Sequence, residues 1–142
     1  MENNRKEYTI MKKTLRLLAL SLVLVTMVAL LASCGGPAKD PADAKAALEE
    51  NDYVALKDDT VTPGLMALAG IKDVDCVVSG TNSDGEHVTI VYFESKDAAN
   101  TAWEKIQEYA EDDKKDEESD WSIKKSGIMV YYGSSAAIKA AK

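Results

Sequence analysis

The sequence predicts an α+β domain, an antiparallel sheet of four to five strands with two to three helices packed mainly on one face. Three observations predict it. Two pairs of β-rich runs, within 75–94 and 121–132, are each joined by turn-forming residues. Between them lies an amphipathic stretch at helical spacing. The order helix, short strand, hairpin, helix, hairpin, helix then sets helices against antiparallel strands.

Asp40-Pro41 opens the first helix, because Asp is a good N-cap and Pro suits the first helical position. Ala42, Ala44, Ala46, Ala47 and Leu48 carry it to about Asn51. Residues 53–57 alternate Tyr, Ala and Lys against Val and Leu, the pattern of a short strand. Residues 63–69 are apolar and helix-permissive, and Gly70 ends them. The runs 75–79 and 87–94 flank Gly80-Thr81-Asn82-Ser83-Asp84-Gly85, which predicts a hairpin. In the second of these strands both faces are partly apolar, which places it centrally in the sheet.

Ser95 caps a helix over 96–112, with Ala99, Trp103, Ile106 and Ala110 on one stripe and Ala102 and Tyr109 widening it. Trp103 is expected to be a core anchor. Residues 111–120 hold no apolar side chain and read as the helix end and a solvated loop. Runs 121–125 and 128–132 form a second hairpin about Ser126-Gly127, and 135–142 a short final helix with Lys139 and Lys142 near its negative end.

The one long apolar segment lies before this domain. Lys12, Lys13 and Arg16 precede an apolar stretch at 17–31, broken only by Ser21 and Thr26, and small residues follow. That is the layout of a secretory signal. Its 15 residues fall short of the ~20 needed to span a bilayer. Leu31-Ala32-Ser33-Cys34 resembles the lipobox of bacterial lipoproteins. The resemblance implies diacylglyceryl transfer to the Cys34 thiol, cleavage after Ser33, and residues 1–33 as a signal peptide. The competing reading is an uncleaved anchor with a chance cysteine. Met11-Lys12-Lys13 resembles a complete signal start by itself, so translation is expected to begin at Met11. Residues 34–39 read as a lipidated tether, reaching ~20 Å when extended, and 40–142 as one domain.

From Cys34 onward the chain has 109 residues, with 12 basic and 22 acidic side chains, a net charge of −10. One core is the expected scale. The acidity argues against nucleic acid and against adsorption to anionic headgroups. With Cys34 acylated, Cys76 has no intramolecular partner. It sits in an apolar run flanked by Asp73 and Asp75, which suits a small buried side chain and not a reactive thiolate.

No catalytic set emerges. His87 beside the Asp84-Gly85 turn would need a nucleophile and an orienting acid, and Ser79, Asp84 and Glu86 are what an exposed hairpin end carries anyway. Asn82-Ser83-Asp84-Gly85 has the flavour of a calcium loop, but Gly80 and Val91 stand where the end ligands belong. Lys114 and Lys115 interrupt the acidic run at 112–120. Gly133-Ser134-Ser135 lacks the lysine and further glycines of a phosphate loop. No zinc or haem ligand set is visible, and no cofactor is expected. Tyr92, Trp121, Tyr131 and Tyr132 fall on strands expected to be neighbours. They are the candidates for an exposed aromatic surface that binds protein or glycan.

Three segments carry a resemblance beyond the lipobox. They are Ala47-Leu48-Glu49-Glu50-Asn51-Asp52-Tyr53, Val91-Tyr92-Phe93-Glu94 with its Ala-rich helix, and Val130-Tyr131-Tyr132-Gly133 leading to Ala137-Ile138-Lys139. Over 40–142 the pattern is similar to small uncharacterised lipoproteins of Gram-positive, Clostridia-like bacteria. The resemblance implies the extracytoplasmic face of the cell membrane and no activity. The expected function is a non-enzymatic module, membrane-anchored through Cys34, that binds a protein or envelope partner. The alternative is a small-ligand or substrate-capture lipoprotein serving a transporter or envelope enzyme.

Overall fold

The computed structural model describes residues 35–114 and 120–142. Asp40 caps helix α1 (Pro41–Glu50), its carboxylate accepting from the Ala42 N–H at 2.8 Å. Tyr53 N–H returns to the Leu48 carbonyl, and Asp52 takes the left-handed conformation (φ 64°) in which glycine often ends a helix. Strand β1 (Val54–Asp58) leads to helix α2 (Val61–Leu68). The cap of α2 is Asp58, not the adjacent Thr60. Its carboxylate accepts from the N–H groups of Thr60, Val61 and Thr62 and from the Thr62 hydroxyl, at 2.6–2.9 Å. Gly70 (φ 83°) closes α2, with its N–H on Ala67 and that of Ile71 on Met66.

Strands β2 (Val74–Thr81), β3 (His87–Phe93), β4 (Trp121–Ser126) and β5 (Met129–Ser134) complete a five-stranded antiparallel sheet in the order β1-β2-β3-β5-β4. β3 is the central strand, as its two apolar faces predict. The β2–β3 turn is held by Asn82, whose side-chain oxygen accepts from the N–H groups of Asp84 and Glu86 at 3.1 and 2.9 Å. Helix α3 (Lys96–Asp113) is capped by the Ser95 hydroxyl and helix α4 (Ser135–Ala140) by that of Ser134.

The α+β class and the antiparallel five-stranded sheet match the sequence reading. The placement of the helices differs from it. Among the described residues there are four, two on each face. On one face Cys76, Val78, Val88, Ile90, Tyr92, Met129 and Tyr131 pack with Ala44 and Leu48 of α1 and Ala137 of α4. On the other, Val77, Val91, Phe93, Val130 and Tyr132 pack with Met66 of α2 and Ala99, Ala102, Ile106 and Ala110 of α3. The reason lies in β3 and β5, which bury residues on alternate sides. A sheet with two apolar faces needs cover on both. The cover on the α1 face is close: a Cβ on Gly80 would stand 2.9 Å from a Leu48 methyl.

The segment expected to be a free tether is pinned at residues 36–38. Gly36 lies against the Tyr131 phenol so closely that a Cβ there would collide with it. Pro37 is buried. Ala38 N–H donates to the Ala141 carbonyl at 2.8 Å, and the Ala38 carbonyl accepts from the Tyr92 hydroxyl at 2.7 Å.

Candidate functional site

The aromatic surface read from the sequence is a correction. Tyr92, Tyr131 and Tyr132 are 1, 5 and 3 % exposed and belong to the two cores. Adjacent residues of a strand point to opposite faces, and here helices cover both, so neither Tyr131 nor Tyr132 reaches solvent. Burial raises all three phenols above their ordinary pKa. Trp121 is half-buried on the edge strand β4, its ring 6.0 Å from that of Tyr132 and the Lys114 ammonium 5.8 Å from its centroid. Its indole N–H has no hydrogen-bond partner among the described residues. Trp103 borders the α3 core at half burial, with the Lys125 ammonium 5.3 Å over its ring. Ile106 and the alanines of α3 fill the centre instead.

Cys76 is 1 % exposed, and burial first, then the charge of Asp75, pushes its thiol up to about 11. Leu31, Ala32, Ser33 and Cys34 lie outside the described residues. No cluster of three or more His, Cys, Asp or Glu side chains able to hold a metal ion occurs among the described residues.

What the structure leaves open is the outer part of the α2–α3 face, toward β1. Paired residues of antiparallel strands share a face. Leu56, Ser79, Thr89 and Tyr132 therefore form one row across the sheet, and Val54, Thr81 and His87 the next. Val54 and Leu56 are 83 and 62 % exposed. Beside them Ser79, Thr81, His87 and Thr89, with Asp113 from the end of α3, line an open groove of about 320 Å³. Thr89 is hydrogen-bonded to the Tyr132 phenol.

β1 is one edge of the sheet, and its outer side meets no strand among the described residues. The other edge, β4, carries exposed Lys124 and Lys125, a charge pair that discourages strand addition. β1 has one exposed charged side chain, Lys57, followed by half-buried Asp58, whose carboxylate is turned to capping α2.

At the hairpin end of this surface Tyr53 donates to Glu86 at 3.0 Å, and so does the Asn82 amide. Burial and then the Glu86 carboxylate push the Tyr53 phenol up to about 12. The Glu86 carboxylate is thus committed to holding the turn.

A second groove, of about 340 Å³, lies where α2 returns to the sheet. It is lined by Gly70, Lys72, Asp73, Asp97 and Lys105 among others. The Lys105 ammonium donates to the Gly70 carbonyl at 3.1 Å, satisfying the end of α2. Both grooves are open to water and lined by mixed polar groups.

The exposed apolar residues are the feature that pattern reading missed. Residues 53–57 alternate, but alternation does not say which side is covered. Tyr53 and Ala55 turn to the α1 core and leave Val54 and Leu56 outside. In α2 only Met66 is buried, while Val61, Leu65 and Leu68 face outward. A usable signal was present: Val61, Leu65 and Leu68 fall at i, i+4 and i+7, one stripe of a helix. No family model, curated protein or solved structure matches the chain.

Proposed function

We propose that this chain is an exported lipoprotein, held on the extracytoplasmic face of the cell membrane by a lipid on Cys34. Its folded part is a non-enzymatic module that binds an extended segment of a protein partner. The lipobox-like Leu31-Ala32-Ser33-Cys34, placed after a basic and apolar leader, supports the address. The observation that carries the binding role is the β1 edge, where exposed Val54 and Leu56 flank a hydroxyl-lined groove and Lys57 is the one exposed charge on the strand. An added strand would gain backbone hydrogen bonds along β1 and side-chain contacts from Val54, Leu56, Thr81 and Ser79. This reading is favoured over small-ligand capture because such sites are mostly enclosed, and both grooves described here are open to water.

A photoreactive amino acid at position 56 in the lipidated protein, in living cells, tests it. The account expects one reproducible polypeptide adduct from position 56 and none from position 124 on the opposite edge. It also expects Val54→Lys to abolish binding of that polypeptide to the purified protein without lowering the melting temperature. Equal labelling at both edges, or binding untouched by Val54→Lys, refutes the β1 site.

A further inference from the structure

The β1 edge and the groove beside it are joined by a short apolar step. Inward from the edge, one row of the sheet reads Leu56, Ser79, Thr89 and Tyr132, and the next Val54, Thr81 and His87. On this face β1 presents exposed aliphatic side chains, and β2 and β3 behind it present hydroxyls and an imidazole. Neighbouring strands lie ~4.8 Å apart, so a strand laid outside β1 stands ~10 Å from the backbone of β2. A side chain that crosses this gap must be long. It needs an apolar stem to lie against Val54 and Leu56, and a head that donates to hydroxyl oxygens. Lysine and arginine have that build.

The charge at the far side selects the same residues. Asp113 lines the groove at the end of α3, an 18-residue helix with no basic residue in its last turn. The Tyr132 phenol, raised first by burial, is raised further by the Asp113 carboxylate, which sets that charge near the Leu56 row. The carbonyl end of the helix adds partial negative charge at the same place.

No lysine or arginine lines the groove among the described residues. The nearest cations are turned elsewhere. Lys57 pairs with Val78 of the α1 core and so stands on the opposite face, and the Lys114 ammonium lies over the Trp121 ring on the far edge strand. Two carboxylates are already engaged, Asp58 in capping α2 and Glu86 in holding Tyr53 and Asn82. Asp84, exposed in the β2–β3 turn, adds to the negative field.

We propose that the β1 site selects an extended segment with a lysine or arginine on the side that faces α3. The stem of that residue lies across Leu56 and Val54. Its head enters the groove, donating to the Ser79 and Thr81 hydroxyls and pairing with Asp113. The partner is thus a basic strand, and the negative field of the groove speeds its arrival. The proposal rests on the β1-edge reading above and names the chemistry of its ligand.

The test uses the lipidated full chain in detergent and three seven-residue peptides, labelled at one end for fluorescence anisotropy. Each alternates threonine and valine and differs only at its central residue, which is arginine, citrulline or glutamate. Citrulline keeps the length and hydrogen bonding of arginine and lacks its charge. The arginine peptide should bind about fivefold tighter than the citrulline peptide, with glutamate weakest. Asp113→Asn should bring arginine and citrulline to within twofold of each other. Asp43→Asn, which removes a charge from α1 on the other face, should keep the fivefold difference. Val54→Lys should abolish binding of all three. Equal binding of arginine and citrulline, lost in Val54→Lys, overturns the basic preference and leaves the β1 edge standing. A preference for arginine that Asp113→Asn does not change also overturns the proposal. Binding of no peptide, or binding indifferent to Val54→Lys, overturns both readings.

Discussion

The Tyr92 hydroxyl donates a 2.7 Å hydrogen bond to the Ala38 carbonyl, tying the central strand to a residue four positions after Cys34. Tyr92 stands on β3 with both neighbouring strands paired, so the point of attachment is among the most constrained in the domain. Tyr92→Phe keeps the ring and leaves the carbonyl without this partner. The expected loss is about 1–2 kcal/mol in urea unfolding. Amide exchange at residues 36–40 should accelerate by more than exchange in β3, which separates release of the segment from general loosening.

Gly133 gives a sharper prediction. Its φ is 143°, and a Cβ there would run into the His87 carbonyl and the Val88 backbone. Both obstacles are main chain of the central strand and have no rotamer to yield. Gly133→Ala should cost at least about 2 kcal/mol, measured by thermal unfolding, whereas Gly85→Ala meets only its own positive φ of 81° and no neighbour. Equal costs at the two positions would contradict the close approach of β5 to β3.

Cys76 and Tyr53 set the alkaline behaviour. Both are held neutral in the folded state, Cys76 to about 11 from an ordinary 9.0 and Tyr53 to about 12 from 10.0. The unfolded chain ionises first. The stabilisation is therefore fully present below pH 9 and is lost as pH rises through 9 to 12. The urea midpoint should decline over that window, with the decline from pH 9 to 10 absent in Cys76→Ala. At pH 8 a thiol reagent should modify Cys76 only at the rate of unfolding.

Asp58 acts at the other extreme. The Thr62 hydroxyl first, then the N–H groups of Thr60 and Thr62, hold its carboxyl well below the usual carboxylate range. A depressed carboxyl stabilises above its unfolded pKa, and the contribution fades as pH falls below about 4. Asp58→Asn should lower stability at pH 7 and flatten the decline between pH 4 and 2. The exposure of α2 makes its amides the place to see this by hydrogen exchange.

The elements themselves were legible because their signals are local. Asp40-Pro41, Ser95, Gly70 and Ser126-Gly127 mark starts and stops through chemistry that involves only a few neighbouring residues. The distribution of helices over two faces was not, since it depends on which side of β3 each crossing takes. The same blindness put Tyr131 and Tyr132 forward as an exposed surface and passed over Val54, Leu56, Leu65 and Leu68. Apolar side chains at strand or helix spacing look alike whether a neighbour covers them or not, and the cover comes from elements distant in sequence. Ala38 shows the converse: a residue after Gly-Gly-Pro reads as tether until a tyrosine from β3 is found on it.

The proposed address of the protein rests on a lipid on Cys34, and one measurement tests that directly. Protein extracted from membranes of cells expressing the full chain is digested, and its N-terminal peptide is weighed. The account predicts a chain beginning at Cys34 with a diacylglyceryl thioether, and in Cys34→Ser an uncleaved chain without lipid. A mature chain that retains Leu31-Ala32-Ser33, or that begins at an unmodified Cys34, would contradict it.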